Sequence, residues 1–355
     1  MKTLDGHIGK RVARGYVLVV AILAAAFSVL ALVDELDQVG VGQYTFWEVC
    51  LFVLLTLPTR LIELAPVIAL LGSLIGLGEL AGGRELLAMQ ASGVSPLRIA
   101  GSVVKTGALL MVAVVGLQEF IAPPAEQLAL TRKTQAISGT DAVRTEQGFW
   151  SRDQRQVINV RRVLHGQVPA DIDIFQFDAQ GRLRLFTRAR WANATDSRHW
   201  LLMDVEQRAI GDEGINTRRL PSLEWESFLT PEQLGILVLP VESLSPSDLY
   251  QYVHYLGESG QNAERYELAL WQKASMPLAT AAMVLVAIPS VFGPLRVSTA
   301  GKRLLVGAVV GVAFYVSSQI IGPLGVMFSV HPAFTTMAPT AVVLGVALWL
   351  FRRLR

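Results

Sequence analysis

The sequence predicts a polytopic α-helical membrane protein: six transmembrane helices with an inserted all-β domain on the outer side. Three observations point there. Six apolar runs are long enough to cross a bilayer. The middle third instead breaks into short segments rich in Val, Ile, Phe and Trp, several alternating apolar with polar. Basic residues crowd the turns on one side of the spans and are missing from the short loops on the other. With 52% of the 355 residues hydrophobic and 17% charged, and a mean hydropathy of +0.43, the chain is too apolar for an ordinary soluble enzyme. The net charge of +2 carries little information, and the single cysteine, Cys50, excludes an internal disulfide and a cysteine-based zinc site.

Residues 1–122 hold the first three helices. Met1 to Gly15 carries Lys2, Lys10, Arg11 and Arg14 ahead of an unbroken apolar run, Tyr16 to Val33. That run is longer than a signal-peptide core and reads as a retained first helix. An acidic loop follows, with Asp34, Glu35 and Asp37. Apolar character resumes from Val49 to Leu80, broken by Pro58, Arg60 and Glu63. This is more than a bilayer needs, so helix two should tilt, kink near Pro58 or project on the outer side. Counting about 20 residues back from Leu80 puts Arg60 and Glu63 at the outer interface. Gly82 and Gly83 make a turn, a short helical segment covers 84–92, and Gly93 and Pro96 stop it. Helix three runs from Leu97 to Ala122, with Lys105 near enough to its inner end to snorkel.

From Pro123 the composition changes, and 123–265 reads as the inserted domain. Its candidate strands are 148–150, 156–162, 171–177, 183–189, 200–208 and 220–225, separated by Gly, Asn and Asp. That pattern predicts a small antiparallel sandwich or barrel. Pro246 to Gly257 is helical, and an amphipathic segment, Ala263 to Gln272, leads back to the membrane. Residues 266–355 add helices four to six: Ser275 to Phe292, Leu304 to Gly322 and Ala333 to Phe351. Gly72-x-x-x-Gly76 and Gly307-x-x-x-Gly311 permit close helix approach. Trp271 and Trp349 suit interface anchors.

Orientation follows from the basic residues. The amino end, the turn with Arg84 and Arg98, the turn with Arg296, Lys302 and Arg303, and the tail with Arg352, Arg353 and Arg355 hold twelve basic residues, against none in 34–48 and 323–332. Both termini are therefore expected in the cytoplasm and the β domain outside.

The 84–92 segment is too short to span anything. Glu85 lies in its first turn, where the helix dipole favours a carboxylate. Leu86, Met89 and Gly93 share one face, with Leu87, Gln90 and Ala91 beside it. Composition leaves two readings open, docking a partner protein or resting on lipid, although one basic residue is few for a membrane-surface helix. No G-x-x-x-x-G-K-[ST] occurs; Gly6-His7-Ile8-Gly9-Lys10 is too short to be a P-loop. The five histidines show no metal spacing and no Ser, His and acid set clusters, so neither catalytic nor metal residues are expected, and nothing points to nucleic acid.

Arg84-Glu85-Leu86-Leu87-Ala88-Met89-Gln90-Ala91-Ser92-Gly93 resembles the coupling-helix motif of the LptF/LptG permeases, transmembrane subunits of the bacterial lipopolysaccharide export ABC transporter. Phe292-Gly293-Pro294-Leu295-Arg296 resembles the family's signature between helices four and five. Gln147-Gly148-Phe149-Trp150, Leu229-Thr230-Pro231 with Gly235, and Arg265-Tyr266 with Trp271 are similar to the LptG branch rather than the LptF branch. The resemblance spans essentially the whole chain. It implies a multi-pass protein of the Gram-negative inner membrane with a periplasmic β-jelly roll. It implies pairing with the sister permease LptF, and two copies of the ATPase LptB that bind ATP and Mg, this chain carrying no cofactor. It also implies contact with LptC and the LptA bridge through the periplasmic domain.

On that resemblance Arg84, Glu85, Leu86, Leu87, Met89 and Gln90 would couple to the ATPase. Lipopolysaccharide phosphates would meet Arg60, Arg132 and Lys133, unless Arg60 only pairs with Glu63 and the other two are solvated. Helices one and five would line lateral gates, which makes Phe27, Leu30, Phe314, Tyr315 and Ile320 candidates for contact with acyl chains and membrane lipids. The chain departs from the family at the outer end of helix one, where Ala31-Leu32-Val33-Asp34-Glu35 replaces common basic residues. Two other readings remain, a mechanotransmitting ABC membrane subunit that moves no lipid and a membrane-embedded enzyme using Arg60 and Glu63. The first usually has four helices; the second offers only one intramembrane pair.

Overall fold

The computed structural model describes residues 2–138, 142–153, 155–164, 168–178, 180–194, 199–211, 214–226, 241–258, 263–292, 300–328 and 330–352. The Gly293 to Arg296 turn and the Leu229 to Gly235 segment lie outside them. Among the described residues, six helices are long and apolar enough to cross a membrane.

Helix α1, Lys2–Leu36, is one run of 35 residues. It starts well before Tyr16 because Ile8, Val12 and Tyr16 continue the buried stripe one turn at a time. Helix two is in two pieces, α2 (Phe46–Glu63) and α3 (Ala65–Gly82). Of the three outcomes that its excess length allowed, tilt, a kink near Pro58 or projection on the outer side, the kink is not found at Pro58; the interruption falls at Leu64. Pro58 is absorbed inside α2, whereas Pro66 takes the second position of α3, where a missing N–H leaves no intrahelical bond unmade. Helix α4, Glu85–Ala91, follows a left-handed residue, and that residue is Arg84 (φ 58°) rather than either glycine before it. Gly93 (φ 87°) takes the chain out of α4.

Helix α5, Pro96–Gly116, is capped by Ser95, whose Oγ accepts the Arg98 N–H at 3.3 Å. The chain does not stop at Ala122. A π turn, Leu117–Ile121, leads straight into α6, Ala122–Ser138, so Pro123 and Pro124 sit where the regular helical bond pattern is already interrupted. Strands β1 (Ala142–Asp153), β2 (Gln156–Leu164), β3 (Val168–Phe177), β4 (Leu183–Ala194), β5 (His199–Gly211) and β6 (Gly214–Glu226) form one antiparallel sheet in sequence order. Helix α7, Pro246–Glu258, packs on the sheet. Then α8 (Glu264–Phe292), α9 (Ala300–Met327) and α10 (Pro332–Arg352) complete the bundle.

A crease runs across the sheet. The ladder skips Arg161, Asp171, Arg190, Asp204 and Pro221, one residue on each of β2 to β6, and β1 loses register between Arg144 and Phe149. Asp171 (φ 51°) and Asp204 (φ 54°) are left-handed, and Pro221 has no N–H to give. On β4 and β5 the buried positions step by three there, Ala189 to Ala192 and Leu202 to Val205, so both halves of each strand aim apolar side chains the same way. One core results, with Ile158, Ile172 and Val205 from one side of the crease, Trp200, Leu202 and Trp225 from the other, and Tyr252 and Leu256 of α7. Sandwich-like burial thus comes from folding long strands, not from Greek-key crossing among the described strands. The opposite face carries alternating charge across β2 to β6: Arg161, Asp173, Arg188, Glu206 and Arg219. Asp173 takes both neighbouring guanidiniums at 2.7 Å, and Arg219 lies 3.5 Å from Glu206.

In the bundle, α3 and α8 are the most buried spans, while α1, α9 and α10 bury few of their residues fully. Both glycine pairs are contact points. A Cβ on Gly72 would come within 2.8 Å of the Tyr16 nitrogen, and one on Gly76 within 2.6 Å of Val12 Cα. Gly307 and Gly311 of α9 face Leu74 and Val67 of α3. Gly72→Val is expected to lower stability by about 1–3 kcal/mol, seen as a lower midpoint of thermal unfolding in detergent. Gly82→Ala meets nothing within 4 Å and leaves the midpoint in place.

At the β3–β4 turn, Asp178 accepts the backbone N–H groups of Arg182 (2.8 Å) and Gln180 (2.9 Å) and the Arg184 side chain (3.2 Å). The Arg182 N–H above all holds this carboxyl below the usual range. Its contribution to stability is therefore present above the unfolded value of about 3.9 and lost as pH falls through the lower folded one. Hydrogen exchange should show the turn losing protection on acidification below about pH 4, and Asp178→Asn should remove that pH dependence.

Candidate functional site

Two places gather the residues expected to act. The first is α4, at the end of the bundle where α1 starts. Its burial pattern reverses part of the sequence expectation. Leu86 is 6% exposed and packs with Ile8 and Val12, and Met89 packs on the same core. The apolar side chain offered outward is Leu87, 53% exposed, with Arg84, Ala88, Ala91 and Ser92 around it. Gln90 is half-buried. Glu85 is already engaged: its Oε2 lies 2.7 Å from His7 Nε2, and its Oε1 lies 3.4 Å from Arg11 Nη2. The other arm of Arg11 reaches Glu79 Oε2 at 3.4 Å. Spacing on α4 alone gave no sign of this, because the partners come from α1.

The second place is a cavity of about 130 Å³ where α2 ends. Thr59, Ile62 and Glu63 of α2 line it, with Gln118 of the π turn and Glu126 of α6. The far wall is Gln272, Lys273 and Met276 of α8, Phe314, Tyr315 and Gln319 of α9, and Thr336 of α10. Thr59 Oγ1 donates to Glu126 Oε2 at 2.7 Å, Gln118 Nε2 to the Lys273 carbonyl at 3.3 Å, and Gln319 Nε2 to the Tyr315 hydroxyl at 3.3 Å. Lys273 Nζ donates to the Leu244 carbonyl. Polar groups thus gather in a chamber whose walls are otherwise mostly apolar.

The expected substrate residues divide. Glu63 faces this chamber and pairs with Arg60 at 3.5 Å, while Arg60 itself stays exposed. Phe314 and Tyr315 belong to the chamber wall and Phe27 packs on the core, so these three turn inward. Leu30 and Ile320 are exposed on α1 and α9. Arg132 is exposed; Lys133 is not, since its Nζ lies 2.7 Å from Glu35 Oε1 and 4.8 Å over the Phe52 ring. Sequence reasoning missed Gln118, Glu126 and Lys273. A Gln-Glu pair at 118–119 interrupting an apolar run was the available signal; the other two lay in stretches that read as soluble or amphipathic.

Among the described residues, six membrane-length apolar helices with an inserted β domain make the architecture of a multi-pass membrane protein. The chain belongs to the LptF/LptG family: the sequence model described as lipopolysaccharide export system permease LptF/LptG matches residues 6–353. It is similar to the lipopolysaccharide export system permease protein LptG of Escherichia coli K12, 35% identical over 353 residues covering 99% of this chain and 98% of that protein. The Haemophilus influenzae LptG is 35% identical over 356 residues, covering 100% of this chain and 99% of that protein.

The two leucines of α4 should behave oppositely. Leu86→Ala is expected to cost about 2–5 kcal/mol of stability, whereas Leu87→Ala should stay within about 0.5 kcal/mol, both read from thermal unfolding.

Proposed function

We propose that this chain is the LptG-type permease subunit of an ABC exporter in the Gram-negative inner membrane. It takes lipopolysaccharide from the outer leaflet and passes it to a periplasmic β-jelly-roll bridge. The observation that carries this reading is the family match from residue 6 to 353, with relatives of the same length named for lipopolysaccharide export. The basic residues favour cytoplasmic termini and a periplasmic sheet domain. The sister permease LptF would face the exposed sides of α1 and α9. Two LptB subunits would bind ATP and Mg, one of them gripping α4, and LptC and the LptA bridge would continue the β domain through a sheet edge.

The geometry refines the residues. Leu87, rather than Leu86 or Met89, would fill the ATPase groove, with Glu85 at its rim. Arg60 and Arg132 remain available to phosphates, while Lys133 would have to leave Glu35 first. Leu30 and Ile320 are the better acyl-chain candidates, because Phe27, Phe314 and Tyr315 are committed inside the bundle.

Co-expression with the sister permease and the ATPase, followed by mass spectrometry of the purified complex, tests the substrate: bound lipopolysaccharide is expected, and an assembled complex without it would overturn the reading. In such a complex Leu87→Asp should abolish ATPase association, and Glu85→Lys should lower lipid exported per ATP. Normal export per ATP from the Glu85 variant would remove that residue from the coupling role.

A further inference from the structure

We propose that α1 is the strut carrying movement of α4 to the outer half of the bundle, with Arg11 as its positioning residue, given the reading above in which α4 meets the ATPase. At its inner end α1 is held on three levels. Arg11 bridges Glu79 at the end of α3 and Glu85 at the start of α4, both at 3.4 Å. Beneath that, Leu86 packs in one cluster with Ile8 and Val12. Higher up, the two backbones touch: a Cβ on Gly15 would come 2.2 Å from the Gly72 carbonyl oxygen, and the buried Tyr16 hydroxyl lies 3.0 Å from Ser73 Oγ. Over this stretch α1 is close-packed on α3, and Arg11 ties it to α4.

At its outer end α1 is fastened to different partners. Glu35 takes Lys133 of α6 at 2.7 Å and the Tyr44 hydroxyl at 3.3 Å. Ala31 and Leu32 pack with Val49 and Val53 of α2. Between the two ends α1 is a single 35-residue helix without proline, roughly 50 Å long.

The two routes that continue from α4 along the chain are interrupted. Helix two breaks at Leu64, and helix three passes through the π turn at Leu117–Ile121. The two irregularities pack against each other through Ile62, Ala65, Val114 and Leu117, which places both at one level. Irregular turns are where helices bend. A displacement of α4 sent up α3 or α5 meets that joint; sent up α1 it does not. The polar chamber beside the joint, lined by Glu63 and Gln118, would change shape as the outer half swings.

The test uses the assembled transporter with Cys50→Ser, and reads lipid exported per ATP hydrolysed. Arg11→Ala is expected to lower that ratio about fivefold or more, with ATP hydrolysis within about twofold, and Arg11→Lys to restore most of it. An unchanged ratio in Arg11→Ala overturns the strut. Cysteines at 11 and 79 joined by a short bismaleimide provide the second arm. The unjoined pair should resemble Arg11→Ala, and joining should recover export per ATP; failure to recover, or further loss, overturns it because α1 would then have to slide on α3. Export that is intact in the parent complex yet indifferent to Arg11 defeats the strut alone, whereas a parent complex with no ATP-driven export defeats the functional reading.

Discussion

The bundle depends on the contact between α1 and α3. In hydrocarbon, lipid tails are as apolar as leucine, so helices gain little by merely hiding side chains and associate through close packing and hydrogen bonds. Gly72 and Gly76 remove the side chains that would hold α1 off, and Gly15 does the same from the other helix. Only at that separation do Tyr16 and Ser73 reach one another, and Arg11 span both Glu79 and Glu85. The position of α4 is therefore a consequence of three missing Cβ atoms. That is why a seven-residue helix, too short to be stable alone, is held in a fixed place.

A second requirement of the bilayer shapes the opposite end. Backbone groups freed by a break need partners inside the protein. Leu64 itself loses neither helical bond, since its N–H still donates to the Arg60 carbonyl at 3.2 Å and its carbonyl still accepts the Ile68 N–H at 2.9 Å. The π turn answers in the same way and brings Gln118 inward to the Lys273 carbonyl. The polar chamber sits against these two irregularities, so one feature serves two ends: the breaks let the helices bend, and the side chains around them keep the polar interior satisfied.

The spans and their order were legible because hydrophobic length is a property of the chain itself. The inserted β segments were legible from alternation, and α4 from its bounding glycines. What was hidden depended on partners remote in sequence. Glu85 reads as a free acid until α1 brings His7 and Arg11 to it, and Lys133 reads as solvated until Glu35 arrives from the far end of α1. Periodicity put Leu86 and Met89 on a common face but could not say whether that face turns in or out; the core supplied by Ile8 and Val12 decides it. A kink near Pro58 was one of three outcomes that the excess length of helix two allowed; the interruption lies at Leu64, ahead of Pro66, because a proline's effect depends on its position within the helical bond pattern.

The crease in the sheet bears on how the β domain can be extended. A sheet grows by adding a strand at an edge, and the described edges are β1 and β6. Neither is a straight template. On β6 the crease falls at Pro221, which offers no N–H, and on β1 the register jumps between Arg144 and Phe149. An added strand has two ways to fit: it covers one side of the crease only, or it folds at the same level as its neighbours. A partner built from long creased strands satisfies the second condition along its whole length, and a flat strand satisfies it nowhere. The same device that gives this domain a core without a second sheet thereby bends both of its described edges.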